Sequence, residues 1–389
     1  LDFLLELFQR RGTFLNYYEL ETYDPEDGSD VVDPVAFAQS YYTAIDPLAQ
    51  KTTLMDWLDS LDWSKPNSRS QQGDEAFAIY GNAGDLDFGR EMHLQVYDHD
   101  DDPETPDVVA MYTVNYEDVR DAARGLGIAA TVAMEYSPHP VNGGEPYIKF
   151  FLFDAAGNRG HQIDLDGEGQ KTLPNLCLNC HGGRPPDTEE IYNNGMEYPD
   201  DGRLGDMSRY IPYALETFDY AFKTAYTRSA QEEDFRKLNQ SLLKTNINTT
   251  TRALLHGMYG SPYDESDTTL AQPGATQDEH WVPTGTMFDA NGDVVGGDWS
   301  GHEELYQSLY QPYCRACHLS FDYQTFKDAD SFFGLESAIL SYLCEDETYM
   351  PQAKVTQRAL FGDDDALQLL IDEMNANGIQ NVVWGPTCP

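Results

Sequence analysis

Positive charge is what this chain has least of. Lys and Arg together number 24 against 67 Asp and Glu, a formal charge of −43 over 389 residues. Such a surface repels phosphate backbones and anionic lipid, which argues against nucleic-acid and membrane-surface roles. It favours solubility in salty water and, for any protein partner, a basic one. Long hydrophobic runs are also missing, since none reaches the roughly 18 residues of a membrane span. The chain opens at Leu1 with neither an initiator Met nor the regions of a signal peptide, as expected of a processed or trimmed protein. Disorder is excluded by what is present: 40% of the residues are hydrophobic and 12% aromatic, too many for a solvated acidic chain. The length suggests two or three domains with a sizeable core.

Cysteine is scarce too, and the six present are patterned. Cys177-Leu178-Asn179-Cys180-His181 and Cys314-Arg315-Ala316-Cys317-His318 are two copies of C-x-x-C-H, the pattern of covalent c-type haem attachment. Two thiols at that spacing add to the two vinyl groups of one haem, and the adjacent histidine reaches the iron. The pairs can also be read as two thioredoxin-like dithiols or as knuckles of one zinc site. Zinc knuckles lie closer in sequence, however, and dithiols need no histidine after both. Two covalently bound haems are therefore expected, held by Cys177, Cys180 and His181 and by Cys314, Cys317 and His318. Attachment of this kind belongs outside the cytoplasm, where disulfides also form. The remaining Cys344 and Cys388 are then expected to form a disulfide, worth roughly 3–4 kcal/mol on the chain-entropy model; two unpaired thiols are the alternative.

The distal ligands are read from what surrounds the motifs. Tyr349-Met350-Pro351, in a loop before a final helix, resembles the distal-ligand loop of class I cytochrome c, a resemblance that implies Met350 on the second iron; an ordinary core methionine is the other reading. No Met-Pro loop follows the first motif. His93, at a strand start after Gly89, is the leading distal candidate there, against a hydrogen-bonded histidine of the sheet core. Met207 comes next, then Met134, Met196, Met258 and the other histidines, or an open sixth position. An open position admits a small molecule to iron, with Arg90, Glu91 and Glu135 as acid–base or charge-stabilising groups. The acidic stretches Asp98–Asp107, Asp164–Glu168 and Asp289–Asp293 admit calcium or simple solvation, and none completes an EF-hand.

Periodicity predicts helices on Phe37, Tyr41, Ala44 and Ile45 and over 53–61, then a Ser/Gln/Gly-rich loop over 67–84. Strands are expected at 93–97, 108–114, 130–136 and 147–153, with a turn at 154–158. Helices follow at 213–226, 229–244 and 249–257, then a linker over 260–300, a helix into Cys314 and a final helix over 363–375. The expected class is α+β: N-terminal helices with an antiparallel sheet (1–165), a helical first-haem region (166–270), and a C-terminal all-α cytochrome c-like domain (271–389).

Longer stretches resemble a poorly characterised family of secreted bacterial dihaem c-type cytochromes. They include Tyr42–Pro47, Phe88–His93, Val132–Pro138, Leu176–Gly183, Asp234–Asn239 and Tyr313–His318. The last part of the chain, with its C-x-x-C-H, Met-Pro loop and terminal helix, resembles class I cytochrome c. The motif layout is similar to dihaem cytochrome c peroxidases, although the long stretch ahead of the first motif departs from them. The resemblance implies periplasmic or secreted redox work. The expected function is electron transfer between redox partners. A peroxidase- or oxygenase-type enzyme at the first haem, or a haem subunit of a larger assembly or polymer, are the alternatives; the oligomeric state is open.

Overall fold

The structure, a computed structural model, describes residues 33–63, 74–82, 86, 88–97, 107–165, 169–183, 208–285, 287–288, 294–321, 325–335, 356, 359–360 and 362–377. Met350, Cys344, Cys388, Met196, Met207 and most of the acidic stretches considered for calcium lie outside the described residues.

Two helices lead the described chain. α1 (Pro34–Ile45) starts with Asp33 accepting from the amides of Val35 and Ala36 and Pro34 at its first position, a signature N-terminus. α2 (Leu54–Ser60) is capped by Thr53, whose hydroxyl accepts from the Asp56 amide. They pack on a five-stranded antiparallel sheet of β1 (Ala76–Asn82), β2 (Phe88–Tyr97), β3 (Val108–Tyr116), β4 (Ile128–His139) and β5 (Gly143–Asp154), in sequential order. α3 (Val119–Arg124) joins β3 to β4. The α+β class and the N-terminal helices on an antiparallel sheet match the expectation.

β1 does not match it. Ala76-Phe77-Ala78-Ile79-Tyr80 is an apolar run without alternation, and it lies inside a segment whose neighbouring Ser, Gln and Gly predict a loop. All five residues are buried, because the strand is covered on both faces, and such a run carries no period-2 signal. Its outer edge is also closed. Ile79 exchanges hydrogen bonds with the Gln231 side chain at 2.6 and 2.9 Å, and Gly81 exchanges backbone bonds with Asp219. The other edge is sealed by tyrosines of α1: Tyr41 accepts from the Phe150 amide and Tyr42 from that of Leu152. No strand edge is left as a template for another chain at these positions.

Register fixes which side chains share a face. Phe77, His93, Tyr112, Ala133 and Phe151 are cross-strand partners in one row, and Ala76, Leu94, Met111, Met134 and Phe150 form the next, on the opposite face. The first row meets α1 and α2. Phe151 stacks on Tyr42, and Tyr112 meets Trp57 and Trp63 edge-on. That face also holds charge. Glu135 accepts from Lys51 Nζ at 2.6 Å, Trp57 Nε1 at 3.0 Å and Ser137 Oγ at 2.6 Å, and Lys149 Nζ donates to the same Ser137 hydroxyl.

The second face takes the helical half of the molecule. β6 (Gln162–Ile163) and β7 (Lys171–Thr172) lead into α4 (Asn175–His181), and later come α5 (Arg228–Leu242) and α6 (Thr249–Met258). A helix over 213–226 is not formed. Only Leu215–Thr217 and Thr224–Tyr226 make single 3₁₀ turns. Asp219 is bonded to Gly81 instead, and Phe218 and Tyr220 pack on Phe235 of α5, with Phe218 also on Tyr80. Tertiary partners override the local period here.

One core runs from Phe37 to Leu270 and takes in Leu319; a second runs from Val282 to Met374. The second begins with a small ribbon, β8 (Met287–Phe288) with β9 (Val294–Gly296). Then α7 (Glu303–Leu305) passes through a π-helical turn, Tyr306–Tyr310, into α8 (Gln311–Tyr313), followed by α9 (Arg315–Ser320), α10 (Ala329–Phe333) and α11 (Asp364–Ala376). α11 packs across α7 and the π-turn, tied by His302 to Glu373 at 3.0 Å and Tyr313 to Asp363 at 2.8 Å.

The Glu135 cluster generates a pH dependence. Burial alone pushes this carboxyl up, but the charges of Lys51 and then Lys149, with hydrogen bonds from Lys51 and Ser137, outweigh it and hold it at about 2. A carboxyl depressed from its ordinary 4.5 stabilises the fold above that value and loses the contribution as pH falls toward 2. Glu135→Gln is expected to flatten this part of the acid-unfolding profile. At neutral pH it should cost about 3–5 kcal/mol, because it strips the anion from between two ammonium groups. Denaturant melts of both proteins between neutral and acid pH check both effects; an unchanged neutral-pH midpoint would refute the assignment.

Candidate functional site: two C-x-x-C-H helices in contact

Each C-x-x-C-H sequence forms a short helix, α4 and α9. Cys, Asn and His are weak helix formers, so neighbours must hold these turns. Leu176, Leu178 and Asn179 are buried in α4, as are Arg315, Leu319 and Ser320 in α9. Cys177, Cys180 and His181, and likewise Cys314, Cys317 and His318, are half-buried. Residues at i, i+3 and i+4 share one helix stripe. Both motifs therefore turn two thiols and one imidazole to a common half-open stripe, anchored by the buried Leu178 and Asn179 in one and Arg315 in the other.

The two helices touch. Gly182, which ends α4 at φ +69°, lies so close to α9 that a Cβ there would stand 2.5 Å from the Ser320 carbonyl oxygen. The Ser320 hydroxyl is 2.6 Å from the Cys180 carbonyl and 2.8 Å from that of Cys317. Arg209 extends the joint: its amide donates to the His181 carbonyl, its Nη1 to the Ser320 carbonyl and its Nε to the Asn246 carbonyl. From the start of α6, Asn248 and Thr251 donate to the Leu319 carbonyl. Motifs far apart in sequence thus share one hydrogen-bonded joint.

The donor set fits a haem at each motif. His181 Nδ1 lies 3.0 Å from the Arg209 carbonyl, which can only accept. The proton is therefore on Nδ1 and the lone pair on Nε2, the tautomer that a metal-binding histidine needs. Phe150 of β5 lies 5.7 Å from this ring, centroid to centroid, and Phe326 lies 4.5 Å from the ring of His318. Beside the second motif, Tyr306, Tyr310, Arg315 and Trp299 line a crevice. The wholly buried Trp299 indole N–H has no acceptor among the described residues, a donor suited to an anionic group such as a haem carboxylate.

The same geometry weighs against the other readings of the cysteines. None of the four is in a disulfide. Burial pushes the Cys177 thiol up to about 12, and burial with Cys317 alongside does the same to Cys314. A reactive redox dithiol works as a thiolate and needs the opposite shift. Among the described residues, no group of three or more His, Cys, Asp or Glu converges on a metal-sized point.

His93 is not brought to this site. It belongs to the sheet row that faces α1 and α2, whereas Phe150, which meets His181, is on the other face. Its Nδ1 is 2.8 Å from Asp74, its Nε2 3.2 Å from Glu91, and its ring stacks on Tyr112 at 4.2 Å. Burial lowers the pKa of the ring, but the hydrogen bonds and charges of Asp74 and then Glu91 outweigh it and raise it above the ordinary imidazole value. This is the hydrogen-bonded core histidine of the sequence alternatives. Glu91 and Glu135 share its face, so neither lines the first motif. Among the other candidates, His139 binds the Ala44 carbonyl, His161 meets Gln39, and Met258 accepts from Gln277. Met134 lies on the face toward the motif, beside Phe150 in register.

No family model, curated protein or solved structure matches this chain. Among the described residues, no helix is long and apolar enough to cross a membrane.

The joint and the histidine each yield an expectation. Gly182→Ala should destabilise by about 1–3 kcal/mol, from the left-handed backbone and the overlap with Ser320; a thermal midpoint equal to the parent's would refute the contact. His93→Gln breaks the bonds of this ring to two buried carboxylates and should cost about 3–5 kcal/mol where the ring is protonated, so most at low pH. The raised pKa contributes below about 6.5 and is lost as pH climbs through the folded value. The visible absorption spectrum of the protein should not change in that variant, and a changed spectrum would restore His93 as a ligand.

Proposed function

We propose that this chain is an extracytoplasmic dihaem c-type cytochrome that transfers electrons between redox partners. One observation carries the reading: two C-x-x-C-H helices pack directly against each other, each presenting its thiols and imidazole on a half-open stripe. When bound, the haems supply one-electron redox chemistry. The chain's own residues do the rest. Cys177 with Cys180 and Cys314 with Cys317 anchor the groups covalently, and His181 and His318 ligate the irons. The Arg209 carbonyl fixes the orientation and tautomer of His181. The Ser320 hydroxyl locks the two attachment helices together, so that the centres are held at constant separation, as transfer between them requires.

The C-terminal part is read as a class I cytochrome c-like unit, supported by α11 crossing the helix that leads into its motif. Met350 is proposed as the distal ligand there, and Cys344 with Cys388 as a disulfide of an oxidising compartment. The acidic surface suits a basic redox partner, whose binding should weaken as salt rises. An acid–base enzyme at the first motif is less well supported, since Glu91 and Glu135 face away from it and are already bonded.

Expression in a host that matures c-type haem, followed by intact mass, tests the cofactor. Two haem additions are expected on the full chain, and one in each of C177A/C180A and C314A/C317A. A full chain without covalent haem overturns the proposal. Electron transfer without catalysis further predicts a low-spin ferric spectrum unmoved by cyanide or peroxide; a high-spin component that binds cyanide would favour the enzyme.

A further inference from the structure

Arg315 is a charge buried inside a motif. It sits between Cys314 and Cys317, with 3% of its side chain exposed. A buried guanidinium needs a counter-charge, and the second core does not supply it. The partner is Glu216, from the 3₁₀ turn Leu215–Thr217 that belongs to the first core. Its Oε1 accepts from Arg315 Nη2 and from Gln311 Nε2, while its Oε2 accepts from Gln277 Nε2 at 3.1 Å. Arg315 Nη1 reaches the Tyr306 hydroxyl at 3.3 Å. The carboxylate is thus held by two amides and one guanidinium in a largely dry setting, where a unit charge acts with little screening.

We infer that Glu216 is the charge-compensating residue of the second haem: by neutralising Arg315, it sets the reduction potential of the centre on Cys314 and Cys317. This rests on the dihaem reading above. The sign follows from electrostatics. Reduction adds a negative charge at the iron, so an uncompensated cation nearby favours the reduced form and an uncompensated anion the oxidised form. Because Glu216 belongs to the other core, a shift in how the two cores meet changes this potential directly, which links their docking to the direction of electron flow.

Redox titration of the dihaem protein tests the inference, with the second wave assigned through C177A/C180A. Glu216→Gln is expected to raise the second midpoint and Arg315→Gln to lower it. Each should change the ratio of reduced to oxidised haem at the parent midpoint by roughly tenfold, the size of a unit charge acting over about 12 Å at an effective dielectric of about 20. The double variant should return close to the parent, Arg315→Lys should stay near it, and the first wave should move least. If Glu216→Gln does not fold, the Gln and Lys variants at 315 decide alone, since a merely structural role would shift both. Single variants that move together, or a wave that does not move, overturn the charge assignment. A chain lacking covalent haem on Cys314 and Cys317 overturns instead the reading beneath it, and mass separates the two failures.

Discussion

The two C-x-x-C-H helices meet at a backbone contact between Gly182 and the Ser320 carbonyl. A hydrogen atom in place of a side chain lets the end of one C-x-x-C-H helix rest on the end of the other. The Ser320 hydroxyl, the Arg209 side chain and the start of α6 then bind the carbonyls exposed there. These are the orphan acceptors that any helix C-terminus leaves behind. Here they are satisfied by residues from other segments, so the ends of α4 and α9 become a junction. The Leu319 side chain completes it by entering the first core although its helix leads the second.

Around that junction the sheet divides the molecule by chemistry. Its face toward the C-x-x-C-H helices is aromatic and thioether-rich, with Tyr213 donating to Met111 and Tyr210 to the Val109 and Met134 carbonyls. The opposite face carries Glu135 with Lys51 and Lys149, and Asp74 with His93 and Glu91. Buried ion clusters of this kind add little net stability and hold one arrangement against others. Here they tie Lys51, Trp57 of α2 and Asp74 to the sheet, and α1 seals the β5 edge from which Phe150 meets His181.

Much of this was legible in the sequence. Alternation or apolar runs located the later strands, helical spacing located α1 and α2, and the paired motifs drew attention to the two helices that the fold brings into contact. What could not be read is equally specific. β1 has no alternation because both its faces are covered. Residues 213–226 have helical spacing, yet their backbone bonds go to Gly81 and their rings to Phe235. His93 stands in a stretch that resembles a haem-cytochrome family, but the face of a strand residue depends on register, and the Asp74 partner lies in a stretch that reads as loop. Arg315 reads as a filler between two cysteines. Its counter-charge, Glu216, comes from a distant segment with no motif of its own.

The junction between α4 and α9 also sets an order of events. Residue 182 precedes its partner at 320 by a third of the chain, so while synthesis or export proceeds from the N-terminus, α4 waits without the surface it will rest on. During that interval its half-open stripe and its outer end are both accessible. Once Ser320 arrives, the helix ends close on each other while the cysteine and histidine stripes stay half-open. The C-terminal end of α4 therefore gains its final hydrogen-bond partners only when the segment around residue 320 has been made.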